Sequence, residues 1–259
     1  MASGGLDPGV LMGGIARNFG ERGASYRLGQ GPFVIEGDEY DSAFFDKTAK
    51  FLKYLPDIAV LNNIELDHAH IYAALEAVRT AFRRLVNLVP RTGLLLLGVD
   101  SPEVRSLQAM AHSRVQTFGL SAGADWQADD LEAEASGTRF LVRHRHADLG
   151  LVEIPLIGAH NVRNALAAIA VASECGMTMT AIGAALTTFA GVRRRLEIVG
   201  QAGGVTIYDD FAHHPTAVAE TLAGLRASNP ASRIWAVFEP RSASSCRRIF
   251  QEDFPRAFD

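Results

Sequence analysis

Apolar residues along the chain gather in short runs separated by stretches that repeat every three or four positions. That alternation builds strand–helix–strand units around a mainly parallel sheet. Runs at about residues 32–36, 58–63, 94–98 and 115–118 predict strands. After the second of them, Ile71, Leu75, Val78, Phe82, Leu85 and Val89 fall on one helix face. Ser101 as a cap and Pro102 at the first helical position open a shorter helix that reaches Met110. From Trp126 to Ile157 the segments become short and alternating, as in Thr138-Arg-Phe-Leu-Val-Arg, and predict an antiparallel meander. An alanine-rich helix starts near Asn161 and ends at Gly176, a residue suited to a helix C-terminus; another spans about Thr180 to Phe189.

The apolar repeat lapses at Gly191-Val-Arg-Arg-Arg-Leu-Glu, which places a domain boundary there and divides the chain into residues 1–192 and 193–259. Beyond it the pattern restarts with a strand at Val205-Thr-Ile-Tyr-Asp and a helix from Pro215 to about Ala227. A strand at Ile234 to Phe238 and a helix from about Ser244 follow. These elements are too few to close a second core, so the second domain reads as cut short. The fold class is α/β, a mainly parallel doubly wound sheet with a small antiparallel meander.

Composition narrows the function classes. The 259 residues are 48% hydrophobic and 21% charged, ordinary for a soluble globular protein and enough for one large core or two smaller ones. A net charge of -4 gives no electrostatic reason to expect a nucleic-acid or membrane partner. The amino terminus has neither a basic n-region nor a long apolar segment, and no membrane span is expected. Cys175 and Cys246 are isolated, which suits reduced thiols in a cytoplasmic setting. The only lysines are Lys47, Lys50 and Lys53, so no later lysine is available to a mechanism. No Gly-x-x-x-x-Gly-Lys-[Ser/Thr] occurs, and Gly29-Gln30-Gly31 precedes its strand and lacks a third glycine. A phosphate-gripping P-loop is therefore absent and a nicotinamide enzyme is disfavoured.

Candidate chemistry sits at strand ends. Phe33-Val-Ile-Glu-Gly-Asp-Glu-Tyr-Asp closes one strand with Glu36, Asp38, Glu39 and Asp41, and Leu61-Asn-Asn-Ile-Glu-Leu-Asp-His closes the next with His68. The acidic run read alone is a solvated loop and His68 alone a loop histidine. Together, at successive strand ends, they can converge as an oxygen-rich magnesium site beside nucleotide phosphates. Asn161 and Asn164, spaced i, i+3, share a face at a helix start. They read either as a cap and a packing residue or, with His160, as contacts to a base, ribose or phosphate. Arg193, Arg194 and Arg195 form either an exposed hinge or a guanidinium reaching a triphosphate. Asp210, with His213 and His214, follows a third strand; Asp210 can accept from ribose hydroxyls, and either histidine can be a cap or loop residue. Arg241 follows a fourth strand, and four polar strand ends across two domains suggest an interdomain cleft.

These segments resemble, in order and over essentially the whole chain, motifs of the ATP-dependent Mur ligases of bacterial cell-wall synthesis. The motifs are Val34-Ile-Glu-Gly-Asp-Glu-Tyr-Asp-Ser-Ala-Phe-Phe-Asp-Lys, Leu61-Asn-Asn-Ile-Glu-Leu-Asp-His, Gly158-Ala-His-Asn-Val-Arg-Asn-Ala, Arg193-Arg-Arg-Leu-Glu, Tyr208-Asp-Asp-Phe-Ala-His-His-Pro-Thr and Phe238-Glu-Pro-Arg-Ser. The first is most similar to the branch that recycles murein tripeptide. The resemblance implies the family's central ATP-binding domain followed by the start of its Rossmann-like C-terminal domain. It implies ATP and Mg2+, with Glu36 and His68 as magnesium ligands and His160, Asn161 and Asn164 at the nucleotide. It further implies Arg195 near ATP, Asp210 at the ribose, and His213 and Arg241 near the substrate or the transferred phosphate. The implied substrates are UDP-N-acetylmuramate and L-alanyl-γ-D-glutamyl-meso-diaminopimelate, joined through an acyl phosphate.

Relatives carry a UDP-binding domain and a P-loop ahead of the segment like Gly5-Leu-Asp-Pro-Gly, and the chain reads as a fragment that hardly turns over ATP alone. Some relatives use a carbamylated lysine on the helix after the histidine motif, where this chain offers Arg79, Arg83 and Arg84. An alanine-adding ligase and a noncatalytic nucleotide-binding module remain alternatives. A hydrolase built on Glu36, Asp38 and His68 is disfavoured, because zinc sites usually carry more nitrogen ligands than His68 and His70 supply.

Overall fold

The computed structural model describes residues 1–259 except 67–70, 73 and 243. In chain order its elements are β1 (Gly9–Ala16), β2 (Ala24–Arg27), β3 (Phe33–Ile35), β4 (Asp41–Ala43), β5 (Asp46–Ala49), β6 (Ile58–Leu61), α1 (Leu75–Leu88), β7 (Leu94–Gly98), α2 (Pro102–Arg105) and β8 (Arg114–Gly119). There follow β9 (Trp126–Glu134), β10 (Gly137–His144), β11 (Ala147–Ile154), α3 (Ala159–Glu174), α4 (Met179–Thr187), β12 (Glu197–Ala202), β13 (Val205–Asp209), α5 (Pro215–Ser228) and α6 (Asp253–Ala257).

The principal sheet has the order β11-β10-β9-β8-β7-β6. Strands β6 to β9 are parallel and β9, β10 and β11 form the expected antiparallel meander. At its centre every residue of Leu94-Leu-Leu-Leu-Gly is buried, because helices cover both faces. Leu95 and Leu97 pack with Val78, Ala81, Leu85 and Val86 of α1. Leu94 and Leu96 face the opposite layer, with Val162, Leu166 and Ile169 of α3 and with Phe140 and Val142 of β10. The sheet is doubly wound and the fold is α/β. Helix α1 stops before Pro90, with Val89 extended at ψ 122°, the conformation a following proline imposes.

Several expectations are corrected. Phe33–Ile35 does not neighbour Ile58–Leu61; it pairs in parallel with β1 in a separate sheet ordered β2-β1-β3. Between β3 and β6 the chain makes the β4–β5 hairpin and a 3-10 turn, with no crossover helix to return it to a parallel neighbour. The helix opened by Pro102 is α-helical only to Arg105, although Ser101 does accept from the Val104 N–H at 3.4 Å. Ile234 to Phe238 forms no strand; Trp235 and Val237 are exposed, and an extended segment without a partner strand leaves its ladder groups to water. Past Ser244 there is a 3-10 turn at Arg248–Phe250 and then only α6.

Beyond Val192, β12 and β13 form a hairpin closed by Gly203 and Gly204 at φ 57° and 79°. Two successive positive φ angles make a primed turn, which glycine adopts without steric cost. The arginine turn before it is fastened to β1: Arg193 N–H donates to Ile15 O and Arg17 N–H to Gly191 O, each at 3.0 Å.

Leu96→Ala, at a fully buried position, is expected to cost about 2–5 kcal/mol of unfolding free energy. Leu151→Ala, at a side chain 64% exposed, should change it by less than about 0.5 kcal/mol. Denaturant titration of the two variants checks the contrast.

Candidate functional site

Polar side chains collect where β6 and β7 end and α3 begins. After the apolar run of β7, Asp100 accepts from Leu120 N–H at 2.9 Å, Ser121 N–H at 3.0 Å and Ser121 Oγ at 2.6 Å. Burial alone would raise its pKa, but these hydrogen bonds and Arg163 hold it below the ordinary value. The approach is close: a Cβ on Gly119 would lie 2.7 Å from Asp100 Oδ1. Asp100 thereby pins the β8 end to the β7 end and faces Arg163 Nη1 at 3.9 Å.

Helix α3 begins at Ala159, two residues before the expected start, with Gly158 as N-cap at φ 96°. Asn161 is not the cap. Its amide donates to Ile157 O at 2.8 Å. Asn164 Oδ1 accepts from Asn62 Nδ2 at 2.9 Å, joining the first turns of α3 to the loop after β6. Burial holds His160 below the ordinary imidazole range, opposed by Glu220 at 3.8 Å. Asp210 and Arg195 also act on His160, so the arginine turn and the β13 end lie within electrostatic reach of the α3 start.

Asp210 has a structural duty. Its carboxylate accepts from Leu196 N–H at 2.7 Å and Ala212 N–H at 2.8 Å. Arg194 and Leu196 adopt φ 58° and 48°, a region costly for non-glycine residues, and the Leu196 bond holds that turn. Each carboxylate oxygen keeps a further acceptor position. Arg194 and Arg195 lie over the Phe211 ring at 4.9 and 5.7 Å. His213 Nδ1 is 2.9 Å from Phe211 O, and His214 Nδ1 is 3.2 Å from Glu65 Oε2.

Elsewhere the candidates separate. Glu36 is exposed at the end of β3 and accepts from Gly13 N–H at 2.5 Å. Asp38 and Asp41 pair with Lys50 and Lys47 at 2.9 and 2.7 Å, and Asp46 pairs with Lys53 at 2.7 Å. The bonds from Lys53 and Thr48 lower the Asp46 pKa to about 2. His68 lies outside the described residues, and among those residues no three His, Cys, Asp or Glu side chains come together as a metal site. A lone exposed carboxylate still suits magnesium, which usually takes one or two protein carboxylates and completes its shell from phosphates and water. The acidic loop does reach the segment beyond His68, since Tyr72 Oη donates to Glu39 O at 2.8 Å. Burial pushes the Tyr72 pKa up to about 12. Arg241 pairs with Glu239 at 3.6 Å rather than with the α3 cluster.

Arg79 and Arg83 of α1 are engaged in ion pairs. Arg79 makes two bonds to Glu103 at 2.6 and 2.7 Å, and Arg83 meets Glu76 at 2.7 Å. The sequence reading passed over Asp100, Arg163, Glu65 and Glu220. Asp100 had a signal, a carboxylate just past a fully apolar strand; Glu220 is recognisable only from its contact across 57 residues.

With the site in view, its class is defined: the chain belongs to the Mur ligase family. It matches the Mur ligase middle domain over residues 30–172 and the Mur ligase glutamate ligase domain over residues 194–254. Over 259 residues it is 39% identical to the UDP-N-acetylmuramate–L-alanine ligase of Desulfatibacillum aliphaticivorans, covering 100% of this chain and 54% of that protein. Over 251 residues it is 42% identical to the UDP-N-acetylmuramate–L-alanyl-gamma-D-glutamyl-meso-2,6-diaminoheptandioate ligase of Escherichia coli, covering 96% and 54%. A solved murein peptide ligase from Psychrobacter arcticus is similar with a TM-score of 0.70 and 36% identity, over 93% of this chain and 53% of that one. The chain spans about half the length of these relatives. No helix among the described residues is long and apolar enough to cross a membrane.

Glu220→Gln is expected to lower the His160 pKa further by removing the carboxylate that favours the cation, a shift readable by NMR titration of the imidazole. In the wild type the unfolded chain protonates first as pH falls. The contribution of His160 to stability is therefore full above about 6.5 and declines below it.

Proposed function

We propose that this chain carries the nucleotide-binding centre of an ATP-dependent amide ligase that joins L-alanyl-γ-D-glutamyl-meso-diaminopimelate to UDP-N-acetylmuramate. The observation that carries the reading is that His160 at the start of α3, beside Asn161 and Asn164, lies within electrostatic reach of Arg195 in the arginine turn and of Asp210 after β13. Residues 1–192 and 193–259 act as the two domains bounding that cleft, in the cytoplasm. In the reaction the muramate carboxylate attacks the γ-phosphorus, the bond to the bridging oxygen breaks and ADP leaves. The tripeptide amine then attacks the acyl carbon, phosphate leaves, and the nitrogen gives up its proton. Such steps need positioning and cationic stabilisation more than a covalent protein nucleophile.

His160, Asn161 and Asn164 hold the base and ribose at the positive end of α3. Asp210 accepts from the ribose with the acceptor positions its backbone bonds leave over. Arg195 approaches the phosphates, and His213 and Arg241 serve the substrate side. Glu36 and His68 would hold Mg2+, which when bound offsets phosphate charge.

The tripeptide as amine is favoured by the run Tyr40-Asp-Ser-Ala-Phe-Phe-Asp-Lys within the acidic motif. The alanine-adding reading is supported by 39% identity over the whole chain to an L-alanine ligase. The gene's whole reading frame, supplied with ATP, magnesium and UDP-N-acetylmuramate, should release phosphate at least about ten-fold faster with tripeptide than with alanine, a preference of about 1.4 kcal/mol. Faster release with alanine would establish the second reading, and release with neither amine would reject both.

A further inference from the structure

Helices α3 and α5 meet where α3 begins. A Cβ on Gly224 of α5 would lie 2.9 Å from the Gly158 Cα, so the backbones touch there without side chains between them. One helical turn away on α5, Glu220 Oε1 accepts from Arg163 Nη2 at 2.7 Å. The other terminal nitrogen of Arg163 faces Asp100, which the backbone of residues 120 and 121 already anchors to the sheet. Arg163 is thus held between the sheet edge and α5. The Arg163 and Glu220 side chains keep 26% and 31% of their exposure. In this half-buried regime, removing one partner strands a partly desolvated charge.

We propose that Arg163 and Glu220 are positioning residues, a clasp that fixes the β13–α5 segment, and with it Asp210 and the arginine turn, against the α3 start. The consequence for nucleotide binding rests on the function proposed above; the clasp itself does not. The pair bridges the regions matched to the middle and glutamate ligase domains, and it does so through an ion pair that a double-mutant cycle can isolate.

The test is hydrogen exchange of the full chain for wild type, Arg163→Gln, Glu220→Gln, the double variant and Arg163→Lys. Each glutamine variant should speed exchange of amides 216–228 by at least about three-fold relative to those of residues 94–98. The double variant should exchange no faster than the faster single one, and Arg163→Lys, whose one nitrogen can meet Glu220 without also facing Asp100, should fall between wild type and Arg163→Gln. Single variants indistinguishable from wild type, or a double variant equal to the product of the two effects, would overturn the clasp. Binding of a fluorescent ATP analogue with magnesium, measured in parallel, separates the two ideas. If exchange responds but the wild type binds no nucleotide, the clasp stands and the nucleotide reading fails. Weakened binding with unchanged exchange would instead place Arg163 and Glu220 against the ligand and reject the clasp.

Discussion

The double-sided burial of Leu94–Leu97 is the constraint on which the rest depends. A strand apolar at every position can be satisfied only if helices cover both faces, so α1 and α3 must sit on opposite sides of the same strand. Once α3 is seated on Leu94 and Leu96, its first turn is delivered to the carboxyl edge of the parallel strands. Asn62 and Asp100 emerge at that edge, and each makes its polar contact with α3 there.

From that edge the site grows outward through polar contacts, each of which fastens one segment to the next. Asp100 is a latch between β7 and β8 as much as a charge, because three donors occupy most of its acceptor positions and Arg163 faces the oxygen that keeps one free. Asp210 has the same double character. It stabilises a turn containing two left-handed non-glycine residues while its charge acts on His160 at the start of α3.

The acidic motif illustrates how little a charge run says about its use. Asp38, Asp41 and Asp46 read alike in sequence, yet each is paired with one of the chain's three lysines, leaving Glu36 on a backbone amide. Arg79 and Arg83 of α1 are likewise engaged by Glu76 and Glu103. Pairing of these side chains sorts those that build the scaffold from those that face solvent or a ligand.

The sequence by itself determined the elements whose pattern is local: the strands at residues 58–61, 94–98 and 114–119, the meander, and helices α1, α3, α4 and α5. Side-chain periodicity dictates these, while the motif residues around Asn161 and Asp210 stand out by their place at a helix start and a strand end and by the resemblance of their segments to Mur ligase motifs. Strand β1 escaped notice because Gly9, Gly13 and Gly14 dilute its apolar alternation. The apolar run at residues 234–238 misled, because a strand exists only through a partner. Tertiary structure alone decided that β3 joins β1 instead of β6, that Glu220 meets Arg163, and that Glu65 lies beside His214. These are pairings between distant segments, and no local pattern encodes which distant group will be packed close enough to satisfy a buried charge.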